Sequence, residues 1–578
     1  MSKKIRVTVI VLTLLVVVSC FLAFFGLYNN FSKKISPYPA QIPLANADSP
    51  ALESSPKKII ISSSSEKPPA DAASPAISPR LLITSEKTTG TTTGDLANIR
   101  APSEPIDREN YAHFDNNPIK QVSEQPVSTF SIDVDTGSYA NVRRFINSGR
   151  LPPHDAVRVE EMLNYFNYNY PSPLNLDPPF KVTTEIAPTP WNSKTHLLHI
   201  GIKGYDIPKD KLPPANLVFL VDVSGSMRSN HKLALLKSAL KLLSNQLTEK
   251  DKVSLVVYAG AAGVVLEPTP GHQSVKINGA LERLTAGGST HGSAGIHLAY
   301  NLAEQAFIKN GINRILLATD GDFNVGTVDF EALKNLVEEK RKSGISLTTL
   351  GFGRGNYNDQ LMEQLADAGN GNYAYIDTLN EAQKVLVDEM SSTLNTIAKD
   401  VKIQIEFNPA IVAEYRLIGY ENRLLKREDF SNDKVDAGEI GAGHTVTALY
   451  EMALVGSGGQ RLENLRYSQN QDVPKSNDIQ NHELAFLRLR YKAPNSDTSQ
   501  LLEWPMMRQD ILETVDTNER FRFAAAVAAF GQQLRGGKYL EQFSYDNILN
   551  LARDARGDDP FGYRGEMIKL VNLAKSLP

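Results

Sequence analysis

Three short stretches carry oxygen donors at spacings that suit one shared cation. The run Leu220-Val-Asp-Val-Ser-Gly-Ser-Met-Arg228 ends an apolar stretch in one carboxylate and two hydroxyls at alternating positions, Asp222, Ser224 and Ser226. A second apolar run, Arg314-Ile-Leu-Leu-Ala-Thr-Asp320-Gly-Asp, puts Asp320 at its tip. Gly287-Gly-Ser-Thr290 places a further hydroxyl just before a helical pattern. Asp222, Ser224, Ser226, Thr290 and Asp320 together make a set of hard oxygen ligands, which suits Mg²⁺, Mn²⁺ or Ca²⁺. If the hydroxyls bind directly and the carboxylates mainly hold waters, the ion stays electron-poor. It then takes an anionic oxygen from outside, such as a partner's Asp or Glu. That is binding chemistry before it is catalysis.

Positioning these loops requires strands that end together. From Pro213 to about Lys399 the chain alternates near-continuous apolar runs (NLVFLVD, KVSLVVYAG, RILLATD, SLTTLGFG) with helical patterns (HKLALLKSALKLLSNQL, SAGIHLAYNLAEQAF, FEALKNLVEEKRKSG, DQLMEQLADAG). Such alternation predicts a parallel sheet covered on both faces. Ligands of these sheets sit beyond the carboxyl ends of the strands. Ahead of this region, VSTFSID, FKVTTEIAP and THLLHIGIKG read as strands, and SYANVRRFINSG and VRVEEMLNYFNYNY as short amphipathic helices. Beyond it, VKIQIEF, TVTALYEMALVG and HELAFLRLRY read as strands, with a helical tail starting near Asn518.

The bulk numbers bound the class. A chain of 578 residues has room for two to four domains, and its 41% apolar content can fill several cores. With 61 basic and 65 acidic residues, a net charge of −4 and no long basic run, the chain offers no electrostatic case for nucleic acid. Its one cysteine, Cys20, excludes an intrachain disulfide, a Cys-based zinc site and an iron–sulfur cluster. Lys3, Lys4 and Arg6 precede an apolar stretch from Val7 to about Tyr28, the length of one membrane span at about 20 residues. Val17-Val-Ser-Cys20 also resembles a lipoprotein cleavage box, which would put lipid on Cys20, although Phe21 to Leu27 continue the apolar run. A retained helix and a lipid anchor both tether the protein to a membrane with its head outside the cytoplasm. Residues 29–105 are rich in Ser, Pro, Thr and Ala and read as a disordered tether reaching on the order of 50 Å.

The motif DVSGS matches the Asp-x-Ser-x-Ser signature of von Willebrand factor type A (VWA) domains, and Thr290 and Asp320 complete the five residues of their metal-ion-dependent adhesion site. The segment from Ser128 to Phe166, the phrase ATDGDFNVG and the ending DDPFGYRGEMIKLV resemble the bacterial YfbK-type family. The resemblance spans about Ile106 to Leu577. It implies an α/β, Rossmann-like VWA domain with a mainly parallel sheet. A small α+β N-terminal domain and a β-rich C-terminal module with a helical tail would flank it. The expected division is an anchor over 1–28, a linker over 29–105, an N-terminal domain over 106–205, the VWA domain over 206–399 and the C-terminal module over 400–578. The implied function is capture of a protein partner, which offers an acidic residue to a divalent ion (Mg²⁺ ahead of Mn²⁺ or Ca²⁺), by a membrane-tethered protein of the bacterial cell envelope. The helix near Glu381–Leu394 is expected to shift with occupancy. Two other classes are open: metal-assisted hydrolysis at the same ion, and an envelope scaffold indifferent to metal.

Other motifs carry less. Asp135-Thr-Gly-Ser138 copies half of an aspartic-protease signature, but no second such loop exists, and a helix cap explains it. Gly351-Phe-Gly-Arg-Gly355-Asn lacks the last glycine of a dinucleotide fingerprint and reads as a plain turn. His196 and His199 lie three apart in a strand, so they face opposite ways and cannot share a metal. His291 reads as a solvated loop residue at the site rim, and Arg556-Gly-Asp558 as a local turn. Ser224 has no histidine base near it in sequence, which makes it a poor nucleophile.

Overall fold

The computed structural model describes residues 109–288, 292–321, 330–463 and 482–578. The expected anchor at 1–28 with Cys20, the linker at 29–105, Thr290 and His291 lie outside the described residues. Among the described residues, no helix is long and apolar enough to cross a membrane.

The central region forms a six-stranded sheet in the order Tyr373–Ile376, Ser346–Phe352, Ile312–Thr319, Ala215–Asp222, Lys252–Tyr258, Ala262–Pro270. All pairings are parallel except the last. Ala215–Asp222 and Ile312–Thr319 are buried along their whole length, which explains why neither alternates in polarity. The helix Leu235–Ser244, the helix Ser274–Glu282 and the segment Leu379–Leu394 pack on one face. Gly292–Gln305, Phe330–Arg341 and Asp359–Ala368 pack on the other. The chain winds outward in both directions from the neighbouring strands Ala215–Asp222 and Ile312–Thr319. Their carboxyl ends therefore flank the crevice at which such sheets take ligands.

The flanks depart from the expected division. Strands from before and after the central domain share sheets. One sheet runs Lys120–Gln121, Val412–Ile418, Thr445–Leu454, Asn192–Gly204, Phe180–Thr189. In the other, Val127–Ser131 pairs with Thr396–Phe407, beside Glu483–Lys492, Ser499–Met507 and Gly438–Gly441. The N-terminal domain at 106–205 and the C-terminal module at 400–578 are thus one body, and the VWA domain is inserted in it. The physical reason is pairing: Val127–Ser131 pairs with Thr396–Phe407, and Asn192–Gly204, besides its hairpin with Phe180–Thr189, pairs along its other edge with Thr445–Leu454. The two sheets close on a shared apolar core that includes Phe130, Ile200, Ile403 and Tyr450. The tail helices Glu519–Leu534, Tyr545–Asp554 and Tyr563–Ala574 cover the outer face of the first sheet together with helix Gly137–Asn147.

The tail begins where the sequence places it, with Asn518 capping through a bond from the Phe521 amide. The Asp135-Thr-Gly-Ser138 turn does not behave as expected. Thr136 sits at the cap position without a side-chain cap bond. The Oδ1 of Asp135 instead accepts from the Tyr373 amide at 2.7 Å, and the Ser138 amide donates to Glu161 at 2.7 Å. The motif serves an interface between the flanks and the central domain, which local sequence cannot show.

Candidate metal-binding site

At the crevice, the strand Ala215–Asp222 passes into a tight turn over Gly225–Arg228, then one wide helical turn over Asn230–Ala234, then the helix proper. Asp222, Ser224 and Asp320 are buried, and Ser226 is half-buried. The oxygens of Asp222 are fixed by its own chain. Oδ1 accepts from the Ser224 amide at 2.8 Å, and Oδ2 from the Thr319 hydroxyl at 2.8 Å. The hydroxyls of Ser224 and Ser226 lie 2.9 Å apart, on one side of the turn. The turn is tied to the loop that leads to Thr290: Gly225 donates to the Gly288 carbonyl at 3.0 Å, and Gly287 to the Val223 carbonyl at 2.7 Å. Four of the five expected ligands are therefore placed at one edge. The fifth, Thr290, lies outside the described residues, although the glycines before it reach the site.

The electrostatics at this edge suit a cation. Burial pushes the Asp222 carboxyl up to about 6, against the pull of its hydrogen bonds from Ser224, and the neighbouring charge of Asp320 adds to the rise. A carboxylate held in place by donors yet disfavoured as an anion gains from a nearby positive charge. Among the described residues, no three His, Cys, Asp or Glu side chains cluster as a metal-binding group. The donor set here is two carboxylates with hydroxyls, and that set suits a hard divalent ion. Ser224 and Ser226 would hold such an ion directly, while Asp222 and Asp320 would order its waters. When bound, the ion would supply an open coordination position for an anionic oxygen.

Three features at this edge were not read from the sequence. Lys232, only 7% exposed, donates to Asp320 Oδ2 at 2.7 Å and to Asn356 Oδ1 at 2.8 Å. Asn356 itself donates to Asp320 Oδ2 at 3.3 Å. The turn Gly351–Asn356 is more than a connector. Gly353 has φ +93°, and a β-carbon there would fall within 2.3 Å of the Lys232 stem. Lys232 hides in an amphipathic helical pattern, where a lysine reads as a solvated residue. Thr319 stands directly before Asp320, and only the adjacency of the two strands gives it a role.

The other flagged residues are accounted for. His199 is buried against Tyr170, whose hydroxyl lies 2.8 Å from Nε2, and burial pushes its imidazole down to about 3. His196 lies on the opposite face of the same strand, as expected. Arg556 is exposed and pairs with Asp559 at 3.4 Å within a turn. The segment Glu381–Leu394 is a broken helix with a wide turn at Lys384–Asp388. Its end lines a cavity of about 420 Å³ with Asn164, Lys203 and His444, whose lining includes neither Asp222 nor Asp320.

The doubly wound sheet with this aspartate–serine edge defines a von Willebrand factor type A domain, a module of protein–protein interaction and adhesion. Residues 216–389 match that family, residues 105–199 match the family described as von Willebrand factor, and residues 392–577 match the family described as "Uncharacterized protein YfbK, C-terminal". The chain belongs to the YfbK family of bacterial proteins: it is 50% identical over 471 residues to "Uncharacterized protein YfbK" of Escherichia coli (strain K12), covering 80% of each chain. It is also similar to "Uncharacterized protein sll0103" of Synechocystis, at 30% identity over 34% of this chain and 45% of that one. A solved von Willebrand factor type A structure from Catenulispora acidiphila covers 70% of this chain and 91% of its own, with 15% identity and a TM-score of 0.38.

Proposed function

We propose that the chain is a membrane-tethered envelope protein whose VWA domain captures a partner protein through a divalent ion, Mg²⁺ first among the candidates. The partner supplies an Asp or Glu carboxylate. The observation that carries this reading is the meeting of Asp222, Ser224, Ser226 and Asp320 at the carboxyl edge of two adjacent strands, with both Asp222 oxygens pre-oriented. The membrane tether rests on the apolar run from Val7 to about Tyr28 and its basic flank. Binding is put ahead of turnover because both Asp222 oxygens accept hydrogen bonds from the chain and Asp320 holds a lysine, an arrangement that orients both carboxylates toward ordering the site.

The test is affinity capture from detergent-solubilised membranes with the full chain as bait. Three lanes run together: wild type in Mg²⁺, wild type in EDTA, and the Ser224→Ala/Ser226→Ala double variant in Mg²⁺. A partner retained only in the first lane supports metal-dependent capture. Equal recovery of every protein in all three lanes would make the site structural and remove the reading.

A further inference from the structure

The strongest feature left over is Lys232. It sits at the first, wide turn of the helix that follows the adhesion loop, and its ammonium is bonded to one of the expected metal residues. Its placement is built rather than incidental. The stem lies over Gly353, where a β-carbon would collide with its Cε, Cγ and Cδ within 2.3 to 2.8 Å. Asn356 receives the same ammonium at 2.8 Å and itself bonds Asp320. Glu109 then anchors this loop from outside, since the Gly355 amide donates to its Oε1 at 2.8 Å. The Gly353-Arg-Gly355-Asn segment thus forms a seat for one lysine beside one aspartate.

We propose that Lys232 is the built-in counter-cation of the adhesion site, and that it sets the charge the partner must match. This inference rests on the metal reading above. Among the described residues, Asp222 and Asp320 would balance a dication, and the seated ammonium of Lys232 adds one positive charge to that sum. The ion is held weakly by the free protein, and a single carboxylate from outside neutralises the assembly. Metal retention and partner capture then depend on each other, as reciprocal linkage requires. The partner group is a monoanionic carboxylate.

The experiment measures Mn²⁺ affinity of the detergent-solubilised full chain by electron paramagnetic resonance, with and without added acetate. Wild type, Lys232→Met, Lys232→Gln and Ser224→Ala/Ser226→Ala are compared, each checked for a cooperative thermal transition. Removing a unit charge from a buried position beside the ion predicts Mn²⁺ binding that is tighter by about ten- to hundredfold in Lys232→Met. Lys232→Gln behaves alike, because the charge and not the hydrogen bond is what matters. Acetate strengthens Mn²⁺ binding in wild type and has little effect in the two lysine variants. Site binding seen only after lysine removal would support the proposal most directly. Wild-type binding that the serine variant loses, with unchanged or weaker binding in both lysine variants, overturns the role of Lys232 and leaves the metal site standing. No serine-sensitive Mn²⁺ in any variant overturns both.

Discussion

Two of the groups of buried carboxylates in this molecule are balanced in different ways. At the interface between the central domain and its flanks, guanidinium groups are packed among the acids. Arg158 pairs with Glu161 and, at 2.6 Å, with Asp359. Arg423 reaches Asp133, Asp135 and Glu363 at 3.2 to 3.4 Å. Arg143 pairs with Asp377 and, at 2.7 Å, with Glu381. At the sheet edge, Asp222 and Asp320 are bonded by neighbouring amides, a hydroxyl and one lysine. The first group is a closed structural joint. The second keeps its carboxylates oriented by amides and hydroxyls, with one lysine on Asp320 and a burial penalty on the charge of Asp222. Counter-charge, more than the presence of acids, separates a joint from a site.

The comparison can be broken at several points. Arg158→Met should cost about 3–5 kcal/mol in urea unfolding, because it strands Glu161 and Asp359 in the interior. A loss under about 1 kcal/mol would show that the joint is not held by its charges. Acid should also act on the flanks. The His199 imidazole, pushed down to about 3 by burial, is neutral in the folded chain and charged in the unfolded one between pH 6.5 and 3. The unfolded chain therefore binds the extra proton, and stability falls as pH drops, by about 3 kcal/mol between pH 6.5 and pH 4. Replacing His199 with glutamine should flatten that part of a stability-versus-pH curve; an unaltered slope would place the acid sensitivity elsewhere.

The site should respond in the opposite sense. Asp222→Asn keeps the shape but removes a disfavoured charge, so unfolding free energy at pH 7 without metal should change by less than about 1 kcal/mol or rise. The stabilisation of wild type by Mg²⁺, about 2.7 kcal/mol at a hundredfold excess over Kd, should disappear in the same variant. A large loss of stability in metal-free Asp222→Asn would turn the site into a second joint. The smallest effect is expected at Arg556→Ala, within about 0.5 kcal/mol and with no change in partner capture, since that side chain is exposed in a local turn.

The sequence made the central domain legible because its strands are apolar throughout and its helices amphipathic. The site loops follow from the strand ends, so Asp222, Ser224, Ser226 and Asp320 could be placed together before any coordinates. What stayed hidden depends on distant pairing. Nothing local says that Val127–Ser131 adds to Thr396–Phe407, so two flanking units were expected where one body exists. The carboxylate of Asp135 looks like a cap until Tyr373 arrives to meet it from more than 200 residues away. Lys232 and Gly353 fall in patterns whose ordinary meanings, surface charge and turn, hide their contact.

One feature has a mechanical meaning. Asn110 docks beside the loop that seats Lys232: it donates to the Tyr357 carbonyl at 2.9 Å, and the Asp359 amide donates to its carbonyl at 3.0 Å. A pull on the N-terminal side of the chain loads this two-residue latch before it loads the strand at Val127. This bridge has two backbone bonds, against the five paired positions that Val127–Ser131 makes with Thr396–Phe407. Tension from that side thus reaches the bed of Lys232 ahead of the cores.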